Sequence, residues 1–236
     1  MSGKPIRSGT SVAKLVEKQM RNWEIARAQR LEVPEVRRKV VQPFIALSRK
    51  LGSGGNEVAA ALGQKLGWPV FDKEILQTMA GDDDLRRQIY QSMDERDLGW
   101  FEETVRSFME GAFRKNDYLK NLSRTILSLA RQGSSVFVGR AADRVLPREA
   151  GLRILITARD AYCLEQYAGR RGMSKEAVRE EWERIMEERR EFSRKYFHIE
   201  QDDPARFDLC INRERFTSDQ AVEKILSAMR TLHLIG

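Results

Sequence analysis

The clearest chemical signal in the sequence is a glycine-rich stretch, LSRKLGSGGNEV, that runs from Leu47 to Val58. An apolar run precedes it, and Val58, Leu62 and Leu66 recur every four residues after it, so the stretch is predicted to join a strand to a helix. Glycines let successive backbone N–H groups converge, and a helix N-terminus adds about half a positive charge. This context favours a phosphate-binding loop over a plain tight turn.

The loop departs from the Walker A pattern G-x-x-x-x-G-K-[ST]. With Gly54 as the second glycine, the first falls on Arg49, the lysine on Gly55 and the hydroxyl residue on Asn56. Phosphoryl transfer needs in-line positioning and positive charge around the moving group, so another cation must replace the lysine. The candidates are Arg49, Lys50, Arg140, Arg170, Arg171, Arg189 and Arg194. For Arg189 and Arg194 the alternative is a solvated helix face of alternating charge.

Short apolar runs alternate with helical patterns after residue 43. The predicted strands are Phe44–Leu47, Trp68–Phe71, Ser135–Gly139, Ile154–Thr157 and Asp208–Ile211. The predicted helices are Asn56–Leu66, Lys73–Ala80, Leu119–Ala130, Ala161–Arg170, Lys175–Tyr196 and Asp219–Leu232. This alternation predicts an α/β fold with a five-stranded parallel sheet, helices on both faces and a site at the carboxyl edge of the sheet.

One connection is too long for a plain crossover. About sixty residues separate the second predicted strand from the third, and they predict a helical insertion, residues 72–134, that overhangs the sheet edge. Part of its helical pattern consists of Phe101, Val105, Phe108, Met109 and Phe113. The acidic run at residues 82–84 favours a turn and helix N-cap over a metal site.

The leading segment, residues 1–42, is predicted to be a basic amphipathic helix and a linker to a main domain of residues 43–236. Its apolar face consists of Val12, Leu15, Val16, Met20 and Trp23, and Pro34 ends the helix. Ten Lys or Arg and four Glu give residues 1–43 a net charge of +6, whereas the rest of the chain is nearly balanced, so nucleic-acid binding is not expected of the main domain. The helix face is expected to pack on the main domain, with a homodimer contact or an acidic partner as the alternative.

Composition limits the class of protein further. With 236 residues, 41% of them hydrophobic and 33% charged, the chain has the composition of a globular protein. No run approaches the 18 apolar residues of a membrane span and no signal peptide is evident, so we expect a cytoplasmic protein with no membrane contact. The two cysteines, Cys163 and Cys210, and the two histidines, His198 and His233, indicate neither a zinc site nor a disulfide framework.

Several motifs, in order along the chain, resemble the cytidylate kinase-like family of P-loop proteins. The segments are 48–49 (SR), 52–55 (GSGG), 57–59 (EVA), 66–74 (LGWPVFDKE), 138–142 (VGRAA), 188–197 (ERREFSRKYF) and 202–212 (DDPARFDLCIN). The resemblance runs from about Phe44 to Met229. It implies a nucleoside monophosphate kinase fold with a phosphate loop after the first strand, a monophosphate-binding insertion and a helical lid at residues 159–200. The family shares the glycine at the Walker lysine position.

The resemblance also implies roles for individual residues in ATP-dependent phosphoryl transfer. The donor phosphates would be bound by Gly52, Ser53, Gly54, Gly55 and Asn56. The acceptor would be bound by Asp72, Lys73, Arg140 and Arg189. Arg170 and Arg171 would belong to the lid, and Mg²⁺ would be held by the phosphates with Ser53 as the nearest hydroxyl.

Three residues depart from the pattern of the family. Met186 stands where family members often have an aspartate that helps to hold the nucleoside, Arg213 replaces a threonine, and Asn56 replaces a charged residue. The loop context, Arg140 and the resemblance still imply phosphoryl transfer to a cytidylate-type nucleoside monophosphate or a related small acceptor. A nucleotide-binding regulatory module with little or no kinase activity is the second hypothesis, and an interaction protein that uses the basic leading helix is the third.

Overall fold

The computed structural model describes residues 9–31, 41–91, 117–201 and 203–236. Its centre is a parallel five-stranded sheet with the strand order β2-β3-β1-β4-β5. The strands are Phe44–Arg49 (β1), Val70–Phe71 (β2), Ser135–Val138 (β3), Gly151–Thr157 (β4) and Leu209–Asn212 (β5). The predicted sheet is confirmed, and the predicted strand bounds differ from these by three residues or fewer.

Helices surround the sheet. They are Gly9–Leu31 (α1), Gly55–Leu66 (α2), Lys73–Gly81 (α3), Asp83–Gln91 (α4), Asp117–Gln132 (α5), Ala142–Val145 (α6), Asp160–Arg171 (α7), Lys175–Phe197 (α8) and Ser218–Thr231 (α9). Single 3₁₀ turns lie at Arg148–Ala150 and Pro204–Arg206. The insertion contributes α3, α4 and α5, while the helical pattern predicted from Phe101 to Phe113 lies outside the described residues.

Strand β1 is the centre of the core because it pairs with β3 on one side and with β4 on the other. Its side chains alternate between the two faces of the sheet, as the period of a strand requires. Phe44 and Ala46 pack in the cluster that includes residues of α1, α3 and α5. Ile45 and Leu47 pack in the cluster that includes residues of α2 and α9. The strand is thus fixed from both faces, and so is the loop that follows it.

Helix α1 packs on the main domain, which confirms the expectation for the leading helix. Val16 and Met20 are each 5% exposed and belong to the same cluster as α3 and α5, with Val12 and Leu15 partly buried beside them. The Oε1 atom of Gln19 accepts a hydrogen bond of 3.0 Å from the backbone N–H of Val70 on the edge strand β2. The side chain of Trp23 lies outside the described residues.

The acidic run at residues 82–84 caps a helix, as predicted. The Oδ1 atom of Asp82 accepts hydrogen bonds of 3.0 Å from the backbone N–H groups of Asp84 and Leu85, at the start of α4. These bonds satisfy donors that have no partner within the helix.

Replacing Asp82 by alanine is expected to lower the free energy of unfolding by about 1 kcal/mol, the usual cost of losing an N-cap. Urea denaturation of the full chain measures the change. Asp84→Ala is the matched control, because it removes a charge from the first turn but no capping bond, and a smaller cost is expected for it. Equal costs for the two variants would show that charge, and not the cap, stabilises this end of the helix.

No helix within the described ranges combines the length and apolar character that are needed to cross a membrane.

Candidate functional site

The glycine loop lies at the carboxyl edge of the sheet, between β1 and α2. Gly52 and Gly54 have φ values of +91° and +82°, a backbone region that side chains other than glycine rarely adopt. Gly54 is the N-cap of α2 and supplies no side chain to cap it, while its carbonyl accepts the first helical bond, 3.2 Å from Val58 N. Within the described part of the chain, the N–H groups of Gly54, Gly55 and Asn56 donate to no protein acceptor. They are available to an anion.

Helices α7 and α8 hold the loop through its carbonyl oxygens. The side-chain bonds are Arg189 Nη1 to Arg49 O (3.3 Å), Trp182 Nε1 to Leu51 O (3.0 Å) and Arg170 Nη2 to Gly52 O (2.8 Å). The carbonyl of Lys50 accepts from within the loop, from Ser53 N at 3.1 Å. The carbonyl oxygens of residues 49–52 therefore already have donors, whereas the amides of Gly54, Gly55 and Asn56 have no protein acceptor in the part of the chain that the structure describes.

The side chain of Arg49 fills the space beside Gly55. A Cβ atom at Gly55 would lie 2.5 Å from Arg49 Cβ and 2.9 Å from its Cγ, closer than real side chains approach. The Nε atom of Arg49 donates to Asn56 Oδ1 at 3.0 Å, and its Nη1 atom lies too close to the Cβ position of Gly139 for a side chain to fit there. Glycine at positions 55 and 139 therefore leaves room for this arginine.

Two adjacent cavities meet at Arg49 and Arg189, which line both of them. One cavity of about 190 Å³ is bordered by residues 49–52 and 54–56 of the glycine loop and by α7. The other cavity, of about 280 Å³, lies between the carboxyl edge of the sheet and α8. The charged residues that line the second cavity are Arg49, Lys73, Arg140, Asp143, Glu188, Arg189 and Arg206.

Several cations in the larger cavity repel one another. Burial and the neighbouring Arg189 lower the pKa of the Arg49 guanidinium to about 9, so it stays charged at neutral pH. Burial, followed by Arg140 and Arg189, also lowers the pKa of Lys73. Arg140 lies 4.8 Å above the ring of Phe192, and its buried Nε atom has no hydrogen-bond partner among the described residues. An anion in this cavity would relieve the repulsion, so the cluster favours ligands of multiple negative charge.

The predicted acceptor residues occupy different positions. Lys73, Arg140 and Arg189 line the larger cavity together. Asp72 does not border it. Its Oδ1 atom accepts from Glu74 N at 3.1 Å and from Ile75 N at 3.0 Å, which caps α3. Its predicted contact with the acceptor stays a prediction.

Three other predicted cations are paired with carboxylates. Lys50 forms an ion pair with Asp160 and donates to Ala158 O at 3.2 Å. The remaining pairs are Arg170 with Glu57 (2.5 Å) and Arg171 with Glu181, and Arg171 also donates to Tyr167 Oη at 2.7 Å. Arg170 and Arg171 nevertheless line the loop-side cavity together with Lys50. Arg194 is exposed and pairs with Glu200, which agrees with the solvated-face interpretation.

The buried side chain of Ser53 stabilises the loop through hydrogen bonds. Its side chain is 1% exposed, and its hydroxyl lies 2.8 Å from Lys50 O and 3.1 Å from Ile156 O. Its predicted role as a metal ligand stays a prediction. Within the described residues, no three or more His, Cys, Asp and Glu side chains are grouped so as to hold a metal ion.

Sequence reasoning missed several residues that shape the site. Trp182 holds the loop, and Phe192 supports Arg140. Arg206 forms a buried ion pair with Asp143, in which the two side chains are 10% and 3% exposed. The spacing of apolar residues along α8 indicates that Trp182 and Phe192 face inward, but no local pattern predicts the pair between Arg206 and Asp143.

The two cysteines should differ in reactivity. Cys163 is fully buried, and burial raises the pKa of its thiol to about 11, whereas Cys210 is exposed. Because the thiolate is the nucleophile, we expect iodoacetamide to modify Cys210 at neutral pH and to leave Cys163 intact, as read by mass spectrometry of peptides. Denaturant should make the two equally reactive, and early modification of Cys163 in the native protein would contradict its burial.

A parallel sheet in the order β2-β3-β1-β4-β5 with a glycine loop after β1 defines a P-loop kinase-like fold. The chain belongs to the cytidylate kinase-like family, whose sequence pattern matches residues 44–215. Family membership supports a nucleotide kinase-like function, with use of nucleotide and metal in general.

Two solved structures are similar to this chain. An uncharacterized protein from Eubacterium ventriosum is 22% identical, with a TM-score of 0.65, over 80% of this chain and 99% of that one. A shikimate kinase from Aquifex aeolicus is 19% identical, with a TM-score of 0.39, over 82% of this chain and 99% of that one. The sequence has no significant match among curated proteins.

Proposed function

We propose that this protein transfers the terminal phosphoryl group of ATP to a nucleoside monophosphate of the cytidylate type, or to a related small phosphate acceptor. The observation that carries the proposal is the adjacency of two cavities, one bordered by free loop amides and one by several cations, with Arg49 and Arg189 common to both. Transfer requires this arrangement, because donor and acceptor must lie in line on either side of the moving group.

The residues present fit a triphosphate. The backbone N–H groups of Gly54, Gly55 and Asn56 have no protein acceptor among the described residues, and all three residues border the loop-side cavity. The acceptor would be held by Lys73 and Arg140, whose charges favour a phosphate that is already attached to the acceptor. An oxygen of that phosphate would form the new P–O bond while the bond to the nucleoside diphosphate breaks, and the diphosphate would leave with the bonding electron pair. Mg²⁺, when bound, would neutralise part of the negative charge of the donor phosphates.

The test is a coupled assay of ADP release with the full chain across CMP, dCMP, UMP and AMP. We expect ATP-dependent turnover with at least one of these acceptors and little release without acceptor. Arg189→Ala is the control for contaminating kinases, because turnover that this variant retains in full does not come from this site. Absence of turnover with every acceptor would overturn the proposal.

A second candidate is a regulatory module that binds a nucleotide without transferring phosphate. Two observations favour it: position 55 carries no lysine, and Met186 is buried in an apolar cluster with Trp182 where family members often have a carboxylate. Saturable ATP binding in calorimetry without transfer to any acceptor would support this candidate over the kinase.

A further inference from the structure

Positions 49 and 55 of this chain are exchanged relative to the Walker pattern. Where the pattern has a glycine the chain has Arg49, and where the pattern has the lysine the chain has Gly55. The two positions are also in contact, since a Cβ atom at Gly55 would lie 2.5 Å from Arg49 Cβ. A long side chain therefore fits at only one of the two positions.

We propose that Arg49 performs the task of the absent lysine, and that its guanidinium binds the terminal phosphoryl group of the donor during transfer. The inference rests on the proposed function. Arg49 lines both cavities, so its side chain lies where a phosphoryl group would pass from one to the other. The bond from Nε to Asn56 Oδ1 fixes the plane of the guanidinium. Its Nη atoms are then left to make the paired contacts with phosphate oxygens to which this group is suited.

The other cations of the loop region are less suited to this task. Lys50 and Arg170 are ion-paired with Asp160 and Glu57, and a paired cation has to give up its carboxylate before it can bind a phosphate. Arg49 has a hydrogen-bond partner at Nε but no carboxylate within 4 Å among the described residues. Burial and the nearby charges of Arg189 and Arg140 lower the pKa of Arg49, while the more distant carboxylate of Asp72 raises it. An arriving anion would add to this partial compensation.

The experiment separates donor binding from turnover. Calorimetry gives the affinity of the full chain for ATP and for ADP, and the ADP-release assay gives kcat. For Arg49→Ala we expect kcat to fall by about 10² to 10³, the usual loss when one preorganised donor is removed. We also expect the preference for ATP over ADP to disappear, with ADP affinity within about threefold of wild type, because only ATP carries the phosphoryl group that Arg49 binds.

A reciprocal pair of variants tests the exchange itself. Gly55→Lys alone should reduce turnover, because the new side chain collides with Arg49. In Arg49→Gly/Gly55→Lys the lysine has room, and kcat should exceed that of Arg49→Gly alone by about tenfold or more, a coupling that independent positions do not show. Circular dichroism shows whether Arg49→Ala folds. If it does not, the double variant still tests the proposed role of Arg49. Arg179→Ala, an exposed change on α8, is the control for which wild-type values are expected.

Two results would overturn the inference. One is an Arg49→Ala variant that keeps kcat within about threefold of wild type and still prefers ATP over ADP. The other is a double variant no more active than Arg49→Gly. In both cases wild-type turnover would leave the proposed function intact. Wild-type protein that binds neither ATP nor ADP would instead remove the proposed function, and this inference with it.

Discussion

Replacing Gly52 by alanine is expected to weaken ATP binding by about 100-fold or more. Gly52 has a φ of +91°, and its new Cβ would overlap the backbone carbonyl oxygen of Cys163, which the helical backbone of α7 holds in place. Strain of this backbone conformation costs about 1–3 kcal/mol, and the overlap adds about 1–3 kcal/mol. We expect the loop to leave its binding conformation in order to avoid these costs. Since about 1.4 kcal/mol corresponds to a factor of ten in affinity, the loss of ATP affinity should be large.

The control for this change is Gly67→Ala. Gly67 also has a positive φ, +67°, but a Cβ atom there meets nothing within 4 Å, and it lies at the far end of α2 from the loop. Calorimetry with ATP should give wild-type affinity for Gly67→Ala. If Gly52→Ala also retained wild-type affinity, the glycine loop would not be the donor site.

Replacing Asp143 by alanine is expected to lower the free energy of unfolding by about 3–5 kcal/mol, because it leaves Arg206 buried without its counter-ion. Arg206 also donates to Glu200 O at 2.7 Å and Gln201 O at 3.2 Å, so its charge has no easy route to solvent. The pair joins the chain ahead of β5 to the short helix after β3, and it borders the larger cavity. Urea denaturation measures the change.

Two further variants test whether the cost of Asp143→Ala comes from the stranded charge of Arg206. Asp143→Leu/Arg206→Met should recover most of the loss, because an apolar pair removes the stranded charge. Glu183→Ala breaks a pair with Arg179 whose side chains are 61% and 57% exposed, and it should change the free energy of unfolding by only about 0.5 kcal/mol. A cost below about 1 kcal/mol for Asp143→Ala would mean that Arg206 reaches water or another anion.

The sheet and the glycine loop were predictable because their signals are local. Strand β1 begins with the apolar run of residues 44–47, and glycines follow from position 52. The stripe of Val58 and Leu62 in α2 follows the helical period. Burial on both faces then leaves few alternatives for the central strand. The element bounds agree closely for this reason.

The sequence predicts the orientation of α8 in part. Val178, Trp182 and Met186 recur every four residues and are buried, and Arg189 follows three residues later on the same face. This stripe indicates that Arg189 points towards the loop, although the many exposed charges on the helix suggest a solvated face. The buried stripe of apolar residues thus predicts the direction of the Arg189 side chain better than the overall charge pattern of the helix does.

The sequence does not predict which cations of the site form ion pairs with carboxylates. Glu57 and Arg170 are 113 positions apart, and neither sequence position indicates the other. The same is true of the space beside Gly55, which is recognised only once the path of the Arg49 side chain is known. Such relations depend on how distant segments pack, and no local pattern carries that information.

The most direct test of the central claim is a crystal structure of the full chain with a non-hydrolysable ATP analogue. We predict that the β- and γ-phosphate oxygens lie within hydrogen-bond distance of the amides of Gly54, Gly55 and Asn56, and that the guanidinium of Arg49 contacts the γ-phosphate. A triphosphate bound elsewhere, or a γ-phosphate held by Lys50 with Arg49 turned away, would contradict this account.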